Sequence, residues 1–192
     1  TVVGKKSGPD GVIVGISTTG NGADTLIYEQ FGGSVNNPSA PSVPEGMKIY
    51  NKSPNFSIII PSDWKTSETS GKALLQAPPE QSFSANMIVT QSKVESSVSA
   101  KAVADSAKQI QQKEYPQYKV ISEEAVIIDG LISYQRVYSW HSSERNVDVT
   151  QMQVWIRTSQ ETLFTVSFSS LTSLYSKYGP IFQSAIDSFK AN

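Results

Sequence analysis

The chain has 192 residues, 38% of them hydrophobic, which is enough to bury one sizeable core and leaves room for only a small second unit. Its 16 Lys and Arg stand against 17 Asp and Glu, a formal net charge of -1, so no global field draws it to nucleic acid or anionic lipid. Cysteine is absent, which excludes disulfides, thiolate zinc sites, iron–sulfur clusters and cysteine nucleophiles.

No apolar run approaches the roughly 18 to 20 residues of a membrane-spanning helix. The chain opens on Thr1 rather than Met, ahead of a Gly/Ser/Asn/Pro-rich region. That opening predicts a processed or trimmed form, with any signal peptide or membrane tether upstream of Thr1. Two short β-prone runs follow, Val12 to Ile16 and Thr25 to Phe31. Asn21-Gly22 between them tolerates the positive φ of a type I′ hairpin turn. From Gly32 to Gly46 the sequence alternates Pro, Gly, Ser and Asn, which supply neither ladder donors nor core, and it reads as a linker.

Met47 to Asn51 and Phe56 to Pro61 read as a hairpin turning at Ser53-Pro54-Asn55, and Ile58-Ile59-Ile60 is a buried strand stopped by Pro61. Ser62-Asp63-Trp64 then forms a brief helical turn that plants an indole against the sheet. Further strands are expected at Ala73 to Ala77, ended by Pro78-Pro79, and at Ser84 to Val94, where Met87 and Val89 alternate with polar neighbours. Residues 99–114 change to helical periodicity. Ala100, Val103, Ala104, Ala107 and Ile110 form one apolar stripe, and Ser97 or Ser99 is the cap.

Four long β-prone segments come next: Tyr118 to Ile128, Leu131 to Trp140, Asn146 to Arg157 and Glu161 to Ser169. Asp129-Gly130 is a tight hairpin turn. His141 to Arg145 and Thr158-Ser159-Gln160 are links too short for parallel crossovers, so the four form an antiparallel meander. The last element, about Leu171 to Ala191, sets Leu174, Tyr178, Ile181, Phe182, Ala185, Ile186 and Phe189 on one face. Pro180 predicts a break near Gly179, with the longer final helix starting at the proline. The order of elements gives an α+β fold, a central antiparallel sheet faced by helices at about 99–114 and 171–191. The expected organisation is an amino-terminal segment with a hairpin (1–31), a linker (32–46) and one α/β domain (47–192).

The chemistry-bearing residues do not assemble into a known constellation. The chain has one histidine, His141, at a hairpin end with no second nitrogen ligand, and Glu144 and Asp148 alone make a weak divalent site. No Gly-x-Ser-x-Gly elbow marks a nucleophile, so a hydrolase built on His141 is a minor alternative. Glu123 and Glu124 are neighbours in a strand and point to opposite faces, so they cannot converge on one substrate atom. Phosphate-binding glycine loops are missing, and no basic cluster surrounds the aromatics, which argues against nucleotides and nucleic acid. Trp64, Trp140 and Trp155 read as core or rim packing. Trp140, His141 and Arg145, an aromatic and an arginine at one strand end with a histidine between, are the candidate interface.

The run Phe56-Ser57-Ile58-Ile59-Ile60-Pro61-Ser62-Asp63-Trp64 resembles the Phe-x-Ile-x-x-Pro-x-x-Trp opening of the PsbP-like superfamily, the group of PsbP, DcrB and Mog. The order of hairpin, paired strands, helix, meander and closing helix is similar as well, over most of residues 47–190. The resemblance implies an α/β/α sandwich that acts as a non-enzymatic accessory or binding domain outside the cytoplasm, in a periplasm, at a cell surface or in a thylakoid lumen. It implies a protein partner or envelope component and no cofactor, and it carries no functional residues over. The rival reading is a small-molecule or metal-binding module with a pocket between sheet and helix.

Overall fold

The structure is a computed structural model that describes residues 43–52, 55–69, 71–158 and 161–192, together with four two-residue strands nearer the amino terminus. Those strands are β1 (Lys6–Ser7), β2 (Ile13–Val14), β3 (Ile16–Ser17) and β4 (Thr25–Leu26). β3 pairs antiparallel with β4, Ile16 opposite Leu26, so the two ends of the expected hairpin do meet. β2 pairs instead with β1, a strand that the sequence pattern did not signal. The Asn21-Gly22 turn and most of the expected linker, 32–42, lie outside the described residues, as do Ser53-Pro54 and Ser159-Gln160.

From residue 43 onward the alternation of apolar and polar residues builds two sheets. β5 (Met47–Lys52) and β6 (Phe56–Pro61) form the expected hairpin, and Phe56, Ile58 and Ile60 are all buried on one side of β6. A turn at Ser62-Asp63, closed by the Trp64 amide donating to the Pro61 carbonyl at 3.1 Å, drops the Trp64 indole into the core. β7 (Lys65–Thr69), β8 (Lys72–Gln76) and β9 (Asn86–Lys93) follow, then helix α1 (Ala100–Glu114), capped by the Ser99 hydroxyl. The meander is β10 (Lys119–Ile128), β11 (Leu131–Ser142), β12 (Val147–Arg157) and β13 (Thr162–Leu171). Its first turn holds Asp129 at φ 51° and Gly130 at φ 74°, the two left-handed positions of a type I′ turn. A single 3-10 turn, Thr172–Leu174, leads into α2 (Tyr175–Asp187), and a last short strand, β14 (Lys190–Ala191), pairs with β6.

The large sheet has seven strands in the order β10-β11-β12-β13-β9-β8-β7, every pair antiparallel, and the small one runs β14-β6-β5. One face of the large sheet packs on α2 and the small sheet through Phe56, Ile58, Ile60, Met87, Val89, Met152, Val154, Phe168, Phe182 and Phe189, which belong to one buried cluster. The other face carries α1, over Tyr134, Trp155 and Leu163. The expected α/β/α sandwich is therefore present, with a small sheet sharing the α2 layer.

Four details depart from the sequence pattern. β7 was not expected: Lys-Thr-Ser-Glu-Thr contains no apolar residue, and as an edge strand exposed along its whole length it needs none. β14 takes the end of the region expected to be helix, because α2 stops at Asp187 and Ser188 turns the chain. α2 runs through Pro180 without a break. The proline leaves the Ser176 carbonyl without its helical donor, but both residues are exposed, so water can replace it. In α1, Ile110 is 54% exposed while Gln111, one position on, is buried.

Phe182 is fully buried, with ring centroids 4.9 Å from Phe168 and 6.3 Å from Trp64. Replacing it with Ala is expected to cost about 3–5 kcal/mol, read as a lowered urea midpoint. Pro180→Ala should raise the midpoint, corresponding to about 2 kcal/mol of stability after the greater freedom of the unfolded chain is subtracted.

Candidate interaction surface

Beneath α1 lies a polar network instead of an apolar seam. Arg136, from the centre of β11, is fully buried, and its guanidinium lies 5.3 Å from the Trp155 ring centroid and 5.9 Å from that of Tyr134. Its Nε donates to Glu123 Oε2 at 2.8 Å and its Nη1 to the Ala104 carbonyl at 2.7 Å. Nη2 has no hydrogen-bond acceptor, and Asp105 Oδ1 at 3.7 Å is its ion-pair partner. Lys108 reaches Glu123 from the helix at 3.0 Å. The Arg136 hydrogen bond first, and the Lys108 bond second, hold the Glu123 carboxyl below the usual carboxylate range.

One turn further along α1, Gln111 Nε2 donates to Tyr138 Oη at 3.1 Å and to Gln153 Oε1 at 2.8 Å, and Gln153 in turn donates to Ser167 Oγ. The Tyr118 hydroxyl donates to Gln111 Oε1. Burial pushes the Tyr138 hydroxyl far above its ordinary value, so it stays protonated. These side chains occupy the α1–sheet interface themselves. A shallow pocket among the described residues lies elsewhere, at the seam of the two sheets, lined by Lys52, Asn55, Phe56, Val89, Thr90 and Gln91. At about 20 Å³ it has room for a water, not for a metabolite.

The three residues singled out at the strand end are divided by the pleat. Trp140 lies on the α1 face, stacked on Tyr115 at 4.6 Å, with its Nε1 buried and unpartnered. His141 points to the opposite face and its Nδ1 meets Asp148 Oδ1 at 2.8 Å across the strand pair. Among the described residues no serine or threonine hydroxyl bonds to the His141 ring, and no group of three metal-ligating side chains occurs. Arg145, in the β11–β12 turn, lies over the Phe83 ring at 5.9 Å. Phe83 packs with Val149 and Leu171, which brings Arg145 to the end of the α1 face. Trp64 and Trp155 are core residues, as the sequence reading expects. Glu123 and Glu124 lie opposite Arg136 and Gln135 and so face opposite sides of the sheet.

Sequence reasoning missed a larger feature. α1 lies over β11 and β12, and the strands beyond it have one covered and one open face. Toward α2, Ala73, Leu75, Met87, Val89, Phe164, Val166 and Phe168 are all buried. Toward the α1 side, the register aligns Lys65, Gln76, Asn86 and Ser169, then Ser67, Leu74, Ile88 and Ser167, then Thr69, Lys72, Thr90 and Thr165, in rows across β7, β8, β9 and β13. Every residue in these rows is half-buried or exposed. Ser/Thr alternation against Phe and Val in β13 was the available signal, because hydroxyl residues facing away from a core mark a strand face without a cover.

A family model described as PsbP matches residues 45–191. Cyanobacterial PsbP (CyanoP) from Synechocystis is similar at 18% identity and a TM-score of 0.59, over 80% of this chain and 98% of that one. LpqN of Mycobacterium tuberculosis, involved in cell envelope biogenesis, is similar at 16% identity and 0.56, over 76% and 90%. The Ran-binding protein Mog1p of Saccharomyces cerevisiae is similar at 10% identity and 0.56, over 75% and 94%. No curated protein sequence matches.

Arg136→Ala should cost about 1.5–3 kcal/mol in urea unfolding, since it removes the charged hydrogen bonds that tie the Ala104 carbonyl and Glu123 to β11. Because the folded Glu123 carboxyl titrates lower than the unfolded one, its contribution is present above the unfolded value of about 4.3 and is lost as pH falls through the folded value. Glu123→Gln should therefore flatten the fall of the urea midpoint below about pH 4.3.

Proposed function

This chain belongs to the PsbP family, and we propose that it is a non-enzymatic accessory module acting outside the cytoplasm, which binds a protein partner or envelope component through the open half of its large sheet. The observation that carries this reading is the contrast across the middle of β8, β9 and β13: toward α2 Ala73, Leu75, Met87, Val89, Phe164, Val166 and Phe168 are buried, while the opposite face is half-buried or exposed and lined by hydroxyl and amide side chains around Leu74 and Ile88. A sheet face of that kind offers a large, mostly rigid surface, and no cavity of metabolite size is needed for it to work. Arg145, on Phe83, supplies the rim of this surface, while Trp140 secures the loop after α1 through Tyr115.

The setting outside the cytoplasm is supported by the envelope role of LpqN, and the protein partner by the Ran binding of Mog1p. By composition the Gly/Pro/Ser-rich stretch at 32–46 suits a linker ahead of the domain, in keeping with a module held at an envelope. A hydrolase centred on His141 finds less support. That ring is paired with Asp148, and among the described residues no hydroxyl bonds to its other nitrogen.

A photo-cross-linking residue at position 88 of the full chain, irradiated with the source's envelope fraction, should give a discrete protein adduct. The same residue at exposed position 184 on α2 should not. Adducts of equal yield at both positions, or turnover of an ester substrate that His141→Ala abolishes, would overturn the reading.

A further inference from the structure

Among the described residues, the layer that holds α1 is only half filled. Strands lie about 4.8 Å apart, so the seven-stranded sheet is roughly 29 Å across, while a helix with its side chains covers about 10 Å. Arg136, Gln111 and Ala104 fix α1 over β11 and β12. A neighbouring helix in that layer would stand about 10 Å away, over β13 and β9, where Ser167, Thr165, Ile88 and Thr90 are the floor.

The wall facing that space is apolar from Val103 to Ile110, and Glu114 ends the same flank with one carboxylate at the carboxyl end of α1. Lys101, Asp105 and Lys108 form the flank of α1 engaged with β10 and β11, through Arg136, Glu123 and the Tyr134 ring. Val103 and Ala107, on the other flank, pack on the cluster that includes Leu163 of β13. Ile110 continues their stripe, 54% exposed. Ile88, 37% exposed, and Leu74 continue the apolar line across the floor.

The far rim is cationic. The residues that β7, β8, β9 and β13 turn to this face include Lys65 and Lys72 and no carboxylate. Neither lysine forms an ion pair among the described residues, and Arg145, in the β11–β12 turn, places a third positive charge at the end of the face beside Phe83. A second copy of the chain laid face to face would set these cations against one another. A nucleic acid would want exposed rings for base stacking, and the floor has none. An amphipathic helix with a narrow apolar stripe and an acidic flank matches wall, floor and rim together.

We propose that the open half-layer beside α1, floored by Ile88, Leu74, Thr165 and Ser167 and rimmed by Lys65, Lys72 and Arg145, docks an acidic amphipathic helix of a partner protein. The proposal rests on the partner-binding reading above and specifies the chemistry of that partner. The helix lies roughly along α1, its apolar stripe against Ile110 and Ile88 and its carboxylates toward the two lysines.

The test uses the isotope-labelled full chain and two synthetic helical peptides of about 18 residues, roughly 27 Å long. They share one Leu/Ala stripe and carry either Glu/Asp or Lys/Arg on the polar face. The acidic peptide should shift the amides of Ile88, Thr165, Ser167 and Ile110, and Lys65→Glu with Lys72→Glu should weaken it by about tenfold. Ile88→Arg, a separate variant that keeps both lysines, should weaken it as well. Equal binding of both peptides, shifts that map to another face, or affinity unchanged in the charge-reversed variant would overturn the proposal. So would binding to phosphatidylglycerol vesicles or single-stranded DNA that the same reversal abolishes while neither peptide binds. A protein adduct at position 88 together with failure of the acidic peptide would sink this inference and leave the partner-binding reading standing.

Discussion

The guanidinium of Arg136 sets the layout of one whole side of the molecule. A charge with no exposure to water must be met by fixed acceptors, and here they come from two elements: the Ala104 carbonyl of α1 and the Glu123 carboxylate of β10. The Tyr134 and Trp155 rings flank it within the sheet. A helix that must bring a backbone carbonyl to β11 cannot move toward the middle of the sheet. α1 is therefore held to one half of a seven-stranded surface, and among the described residues no element covers the other half. The Gln111 bridge to Tyr138 and Gln153 fixes the same helix a second time, near its carboxyl end.

The opposite side follows ordinary hydrophobic logic. α2 and the β14-β6-β5 sheet together cover the face that α1 has no counterpart for, and rings from β6, β13, α2 and the segment after it interlock there. The two sides thus divide their tasks: one buries area and holds the fold together, the other is polar, specific and incompletely covered. A domain arranged in this way is suited to presenting a surface. Its one histidine lies on a cross-strand pair at the sheet's end, away from the open rows.

Much of the fold was legible because each signal was local. Asp129-Gly130 specifies its turn, Ser99 its cap, and the alternation in β6, β9 and β13 its buried face. What escaped depended on contacts distant in sequence. β7 has no apolar residue and exists because β8 offers it a ladder. Pro180 looked like a helix breaker, but its orphaned carbonyl faces water. Ile110 fits the apolar stripe of α1, but Gln111 takes the position toward the sheet and bonds Tyr138 and Gln153. The site was harder to read. Trp140, His141 and Arg145 are adjacent in sequence and suggestive by type, yet strand register sends the first two to opposite faces. A lone arginine inside the Tyr134-to-Tyr138 run was a visible clue to a buried network. The open rows needed the positions of α1 and four strands, β7, β8, β9 and β13, which no single stretch encodes.

The central claim, that the open half-sheet is where this protein meets its partner, can be measured directly because the chain has no cysteine to interfere. Ile88→Cys and, as a control, Ser184→Cys would be reacted with a maleimide in the purified full chain and again with the source's envelope fraction present. The account predicts saturable slowing of labelling at position 88 and no change at position 184. Labelling at 88 that proceeds equally fast in both conditions, with 184 slowed instead, would contradict it.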